Sequence, residues 1–189
     1  MSTASGSLYL LNPTPYWYVM RVTYGRERKM ADMLESRGVS FFLPTKTEHY
    51  LSPKDGRLKK REVSVIPNIL FVRSTRPCLQ QLKQELENFI PMRYMMDRST
   101  RRPMTVPDRQ MDDFIRITTE APDSLMYLDN PSVALEKGTP VEIIYGPFAG
   151  IQGYVLRIRR DRKVVLTLNT VLAAAITAEI RPEWIRKLR

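Results

Sequence analysis

The stretch VEIIYGPFAGIQGYV, residues 141–155, constrains the fold of this chain more than any other. Few folded units need a Gly-Pro-Phe turn followed by two more glycines between strand-like runs. Gly146 can adopt a positive φ, Pro147 fixes the next φ, Phe148 has a core to fill, and Gly150 and Gly153 allow tight backbone approach. Short strand patterns surround it at 141–144, 153–158, 163–168 and 175–180, with Val164, Leu166 and Leu168 alternating with Val165 and Thr167. Strands this short at this spacing predict a small closed all-β barrel over residues 136–189.

Upstream the pattern is mixed. WYVMRVTY (17–24) is aromatic and β-branched, as a well-buried strand should be, and Gly25 ends it. The following RERKMADMLESRG sets Met30, Met33, Leu34 and Arg37 at helical spacing, with Gly38 as the stop. Residues 39–43 resume a strand closed by Pro44. Two arms, 45–51 and 58–66, then flank Asp55-Gly56, which predicts a tight hairpin turn with positive φ at both central positions. NILFVR (68–73) is another strand, and PCLQQLKQELENF places Leu79, Leu82, Leu86 and Phe89 on one helical face with Pro77 near its start. A further strand over 90–96 leads to the basic loop RSTRR. Thr105, with Asp108 three residues on, resembles a capping box ahead of a third helix marked by Met111, Phe114 and Ile115.

This order predicts an α+β domain over 16–118, an antiparallel sheet with flanking helices. Residues 1–15, rich in Ser, Thr, Gly and Pro, read as a flexible leader. Residues 119–135 contain no Lys or Arg, two prolines and three acidic residues, the composition of a linker, although LMYL within it can dock.

Thirty basic against twenty acidic side chains give a net charge of +10, which favours a polyanionic partner through phosphate neutralisation. The surplus is five in residues 1–135 and five in 136–189. One cysteine, Cys78, cannot form an internal disulfide, and with one histidine, His49, it cannot assemble a zinc site of the usual ligand count. No apolar run approaches the ~20 residues of a membrane span, and the start lacks the basic flank and long apolar region of an export signal. The expectation is a cytoplasmic monomer without metal or cofactor. No nucleophile or orienting partner accompanies His49, so an enzyme is not expected, and Cys78 reads as a small packed residue.

The words WYVMRV (17–22), FFLPT (41–45), VIPNILFV (65–72) and PMTVPDRQMDDFI (103–115), followed by the GPFAG turn as a KOW motif, together resemble NusG-type transcription elongation factors. The resemblance implies an NGN domain followed by a KOW domain of SH3-like barrel form. Two departures stand out. Val65, Ile66, Pro67, Asn68 and Ile69 replace a more aromatic family segment, and NTVLAAAITAEI (169–180) stands where general members carry a glycine and a basic residue. Both point to a specialised paralogue of the operon-dedicated antiterminator kind, the RfaH and UpxY groups, the latter associated with capsular polysaccharide operons. A general NusG, or a ribosome-associated KOW protein that binds RNA, are the alternatives.

What the resemblance implies for the front domain is an apolar patch that receives the clamp helices of the largest RNA polymerase subunit. By position it comprises Trp17, Tyr18, Ile66, Ile69 and Phe71. Trp17 and Phe71 fit a core role equally well, whereas Ile66 and Ile69, beside Pro67, are expected to be exposed. Arg26, Arg28 and Lys29, the hairpin residues His49, Tyr50, Arg57, Lys59, Lys60 and Arg61, and the loop residues Arg98, Arg101 and Arg102 are candidates for contact with the non-template DNA strand or upstream duplex. The KOW turn, Tyr145, Gly146, Pro147, Phe148, Gly150 and Ile151, is expected to recruit either the termination factor Rho or a small-subunit ribosomal protein. Phe148 is either an exposed aromatic contact or a plug at one end of the barrel.

Overall fold

In the computed structural model, residues 14–97, 99–120, 125–128, 138–158, 161–167, 173–176 and 181–188 are described. The front part runs β1 (Tyr16–Val22), α1 (Glu27–Glu35), β2 (Phe41–Phe42), β3 (Thr45–Leu51), β4 (Leu58–Ser64), β5 (Ile69–Ser74), α2 (Arg76–Leu86), β6 (Met92–Tyr94), β7 (Thr105–Val106) and α3 (Asp108–Glu120). The rear part contains β8 (Leu125–Leu128), β9 (Thr139–Ile143), β10 (Gln152–Ile158), β11 (Asp161–Thr167), β12 (Ala173–Ile176), a 3-10 turn at Pro182–Trp184 and β13 (Ile185–Lys187).

The front sheet has the order β2-β5-β1-β6, with β7 also on β1, and every pairing is antiparallel. Its central strands are apolar on both faces because helices or strands cover both. Alternation along β1 and β5 sends Tyr18, Met20, Val22, Leu70 and Val72 to one face, where Met30 and Leu34 of α1 and Leu79, Leu82 and Leu86 of α2 bury them. Trp17, Val19, Ile69 and Phe71 go to the other face, under Met111, Phe114 and Ile117 of α3. Phe71 and Phe42 meet the Phe114 ring edge-on, with centroids 5.6 and 5.9 Å away.

Local chemistry sets the boundaries. Gly38, at φ 65°, terminates α1, and the Val39 N–H returns to the Leu34 carbonyl. Thr75 caps α2, its hydroxyl accepting from the Cys78 N–H, with Pro77 in the first turn. Several expectations change. The β3–β4 connection is a six-residue loop, not a two-residue turn: only Gly56 has positive φ, and its N–H bonds the Ser52 carbonyl. Phe89 is exposed because α2 ends at Leu86 and Ile90 fills the core instead. Cys78 is exposed, on the outward side of α2. Thr105 lies in β7, opposite Tyr18, and α3 starts at Asp108, with the Met111 N–H bonded to the Pro107 carbonyl.

In the rear part, six antiparallel strands are ordered β13-β9-β10-β11-β12-β8. Gly153 is required there, since a Cβ would stand 2.5 Å from the Val165 carbonyl oxygen, and Gly146, at φ 86°, lies beneath the Trp184 ring. The segment expected as a linker supplies β8, which pairs with β12, and α3 continues to Glu120. Among the described residues no pairing joins β8 to β13.

Candidate functional site

Trp17, Ile66, Ile69 and Phe71 converge on one apolar layer, and they are buried in it. The same cluster takes in Val141, Ile143, Phe148, Ile151 and Val164 from the rear sheet, so the α3 side of the front sheet and the rear part share one apolar interior. A hydrogen bond from the Arg116 guanidinium to the Ala149 carbonyl, 3.0 Å long, ties α3 to the GPFAG turn. Between α3 and the rear sheet lies a cleft lined by Arg109, Asp113, Pro140, Gln152 and Tyr154. Burial pushes the Asp113 carboxyl above the usual carboxylate range, while Arg116 and then Arg109 pull it back.

The expected exposure of Ile66 and Ile69 is therefore corrected: they retain only 7% and 6% of their accessible surface. The reason is a second layer, α3 with the rear strands, which strand alternation alone does not reveal. Tyr18 is also separated from the other four. It points to the α1/α2 face, where its ring lies 5.5 Å from that of Tyr94, and burial raises the pKa of both phenols.

The cationic residues form two groups. At the first, Arg26, Arg28 and Lys29 open α1 and all three are exposed. Arg28 reaches Glu62 of β4 at 2.5 Å and Asp32 at 3.6 Å, which brings the start of α1 against the base of the hairpin. His49, Arg57, Lys59, Lys60 and Arg61 are exposed on the hairpin and Tyr50 is half-buried. The second group follows β6, at the sheet edge opposite β2. There the Asp97 carboxylate accepts from the Ser99 N–H and hydroxyl and from the Thr100 N–H, which holds its pKa down and presents Arg101 and Arg102 to solvent. Arg98 lies outside the described residues.

At the rear turn, Phe148 is 5% exposed and Tyr145 is 62% exposed. Phe148 and Ile151 face the shared interior, so the outward aromatic is Tyr145, accompanied by Pro147 and Gly150. The side chains of the loop after β10 lie outside the described residues.

A family model described as "Transcription termination factor nusG" matches residues 15–115, just over half of the chain. The chain belongs to the NusG family. NusG proteins are transcription elongation and termination factors rather than enzymes, and they typically bind RNA polymerase. A search of curated proteins finds no match. The NusG match covers β1 to most of α3, so the front-sheet side of the apolar layer and both cationic groups fall within it, whereas the rear sheet does not. Among the described residues no helix is long and apolar enough to cross a membrane, and no group of three or more His, Cys, Asp or Glu could hold a metal ion.

One residue of this NusG fold escaped sequence reasoning. Glu27 is buried in the first turn of α1, and its carboxylate accepts the Asn68 N–H at 2.8 Å. Asn68 has φ 66°, and its carbonyl accepts from the Val22 N–H. The Ile66-Pro67-Asn68 bend that positions Ile66 and Ile69 is thus held from α1. The signal available in sequence was the Pro-Asn pair, since asparagine tolerates the left-handed conformation.

Proposed function

We propose that this NusG-family chain is an antitermination or elongation factor for particular operons, binding the RNA polymerase clamp helices through the apolar face built on Trp17, Ile66, Ile69 and Phe71. The single observation that supports this reading is the apolar layer shared with the rear sheet. A surface that must receive a helix of polymerase needs protection from water when polymerase is absent. The rear strands supply that protection, and departure of the rear part frees the layer for helix-in-groove docking. Binding the closed polymerase clamp more tightly than the open one suffices to suppress pausing, because a ligand shifts a conformational equilibrium through its differential affinity. Once released, the rear part offers Tyr145, Pro147 and Gly150 to Rho or to a small-subunit ribosomal protein. Such a factor works in the cytoplasm.

Ile66 and Ile69 also pack in the layer that includes α3, so the test falls on the covering side. Phe148→Asp in the full chain should raise recovery of RNA polymerase in a pull-down at least severalfold. Equal, low recovery by both proteins would overturn the proposal. Occupancy mapping separates the two family readings: restriction to a few operons supports the specialised paralogue, and occupancy of most genes supports a general NusG.

A further inference from the structure

The cleft between α3 and the rear sheet has one charged wall and one neutral wall. On the charged wall, Arg109 and Asp113 stand about one helical turn apart, the spacing at which opposite charges on a helix commonly pair. They do not pair here. Among the described residues Arg109 makes no ion pair, and Asp113 has only the Arg116 guanidinium at 3.9 Å. Arg116 is committed elsewhere, to the Ala149 carbonyl. The Asp113 side chain keeps only 19% of its accessible surface, whereas Arg109 is exposed. A cation and a desolvated carboxylate therefore line one small volume, and each lacks a close partner.

The neutral wall comes from the rear sheet. Gln152 and Tyr154 lie on one side of β10, Pro140 of β9 stands opposite Tyr154, and Leu188 follows β13. The Leu188 N–H bonds the Pro140 carbonyl at 3.0 Å, which fixes this side chain at the same end of the cleft. These groups offer a ring, two aliphatic surfaces and an amide, but no charge. The cleft measures about 330 Å³, near the lower end of the range for small-molecule sites.

We propose that the cleft binds a free α-amino acid with an apolar side chain, its carboxylate on Arg109, its ammonium on Asp113 and its side chain against Tyr154, Pro140 and Leu188. Charge complementarity selects a zwitterion. A carboxylate alone meets the repulsion of Asp113, and an amine alone meets that of Arg109, so only a molecule carrying both charges close together satisfies both groups. The neutral wall holds no counter-charge for a third ionised group, so the side chain is apolar. Because the walls belong to α3 and to the rear strands, the ligand binds only while the two are together. It favours the packed form over the open one by mass action, and the amino acid acts as a signal that keeps the polymerase-binding layer covered. This regulatory consequence rests on the proposed function, whereas the binding site does not.

Purified full-length protein is titrated by calorimetry with L-phenylalanine, with L-leucine and with 3-phenylpropionate, which lacks the ammonium. At least one of the two amino acids should bind, and 3-phenylpropionate should bind about tenfold more weakly or worse than L-phenylalanine. Arg109→Gln should weaken the amino acids about tenfold. Asp113→Asn should weaken L-phenylalanine and strengthen 3-phenylpropionate, since it removes the repulsion that excludes a lone carboxylate. No binding of either amino acid to the wild type, or loss of both phenyl ligands in the Asp113 variant, would overturn the site. Phe148→Asp, which separates the walls, should weaken amino-acid binding about tenfold or more. If that variant recovers more polymerase yet binds L-phenylalanine as tightly as the wild type, the ligand does not bridge the walls and the regulatory role falls. If the wild type binds L-phenylalanine while the variant leaves polymerase recovery low, the site stands and the proposed function fails.

Discussion

The two faces of the front sheet are both buried, but by different kinds of cover. On one, α1 and α2 come from the same 70-residue stretch as the strands they protect and are linked to them by short connections. On the other, α3 contributes part of the cover, and side chains from beyond residue 140 contribute the rest. The first cover lies within the family-matched segment, whereas the second comes in part from a sheet with hydrogen-bonded pairing of its own.

The comparison can be broken by substitutions on each side. The largest effect is expected from Leu70→Ala, on the α1/α2 face, which should cost about 2–5 kcal/mol by chemical denaturation and destabilise the whole front part. Phe148→Ala, on the shared face, should expose the apolar layer to hydrogen exchange while α1 and α2 stay protected. Equal loss of protection on both faces would show that the two covers are one unit. Gly153→Ala should cost about 1–3 kcal/mol and be confined to the rear sheet, because the new methyl meets the Val165 carbonyl. Thr75→Ala removes the α2 cap and should lower stability by about 1 kcal/mol, leaving polymerase recovery unchanged.

The smallest effect concerns pH. The Asp113 pKa is raised where α3 meets the rear sheet, so the packed state binds more protons than the open chain between the ordinary carboxylate pKa and the raised one. Stability from this group is present at the acid end and falls as pH rises through that window. Asp113→Asn should therefore flatten the acid-side pH dependence of packing, measured by tryptophan fluorescence. An unchanged profile would remove Asp113 as its source.

How much was legible in the sequence depended on the range of the interaction. α1, the core leucines of α2 and the strands around Gly153 were readable because their signals, helical spacing and glycine placement, are local. Ile66 and Ile69 were misread because a neighbour more than 70 residues away decides their exposure, and no periodicity encodes that. Phe148 kept two readings open, exposed contact or interior plug, until its layer was known. Tyr18 was grouped with Trp17 although adjacent strand residues face opposite ways, an error that alternation itself could have prevented. In the hairpin, Asp55-Gly56 signalled reversal correctly, but the loop length depends on the bonds from the Ser52 N–H to the Arg57 carbonyl and from the Gly56 N–H to the Ser52 carbonyl, which no dipeptide specifies.

The position of β8 carries a practical consequence for dissecting the protein. A fragment beginning at residue 136 would look complete by composition, yet it would strip β12 of its neighbour and leave the Ala173–Ile176 backbone groups unpaired along one margin. Such a truncation should self-associate through that margin, whereas one beginning before Leu125 should remain dispersed.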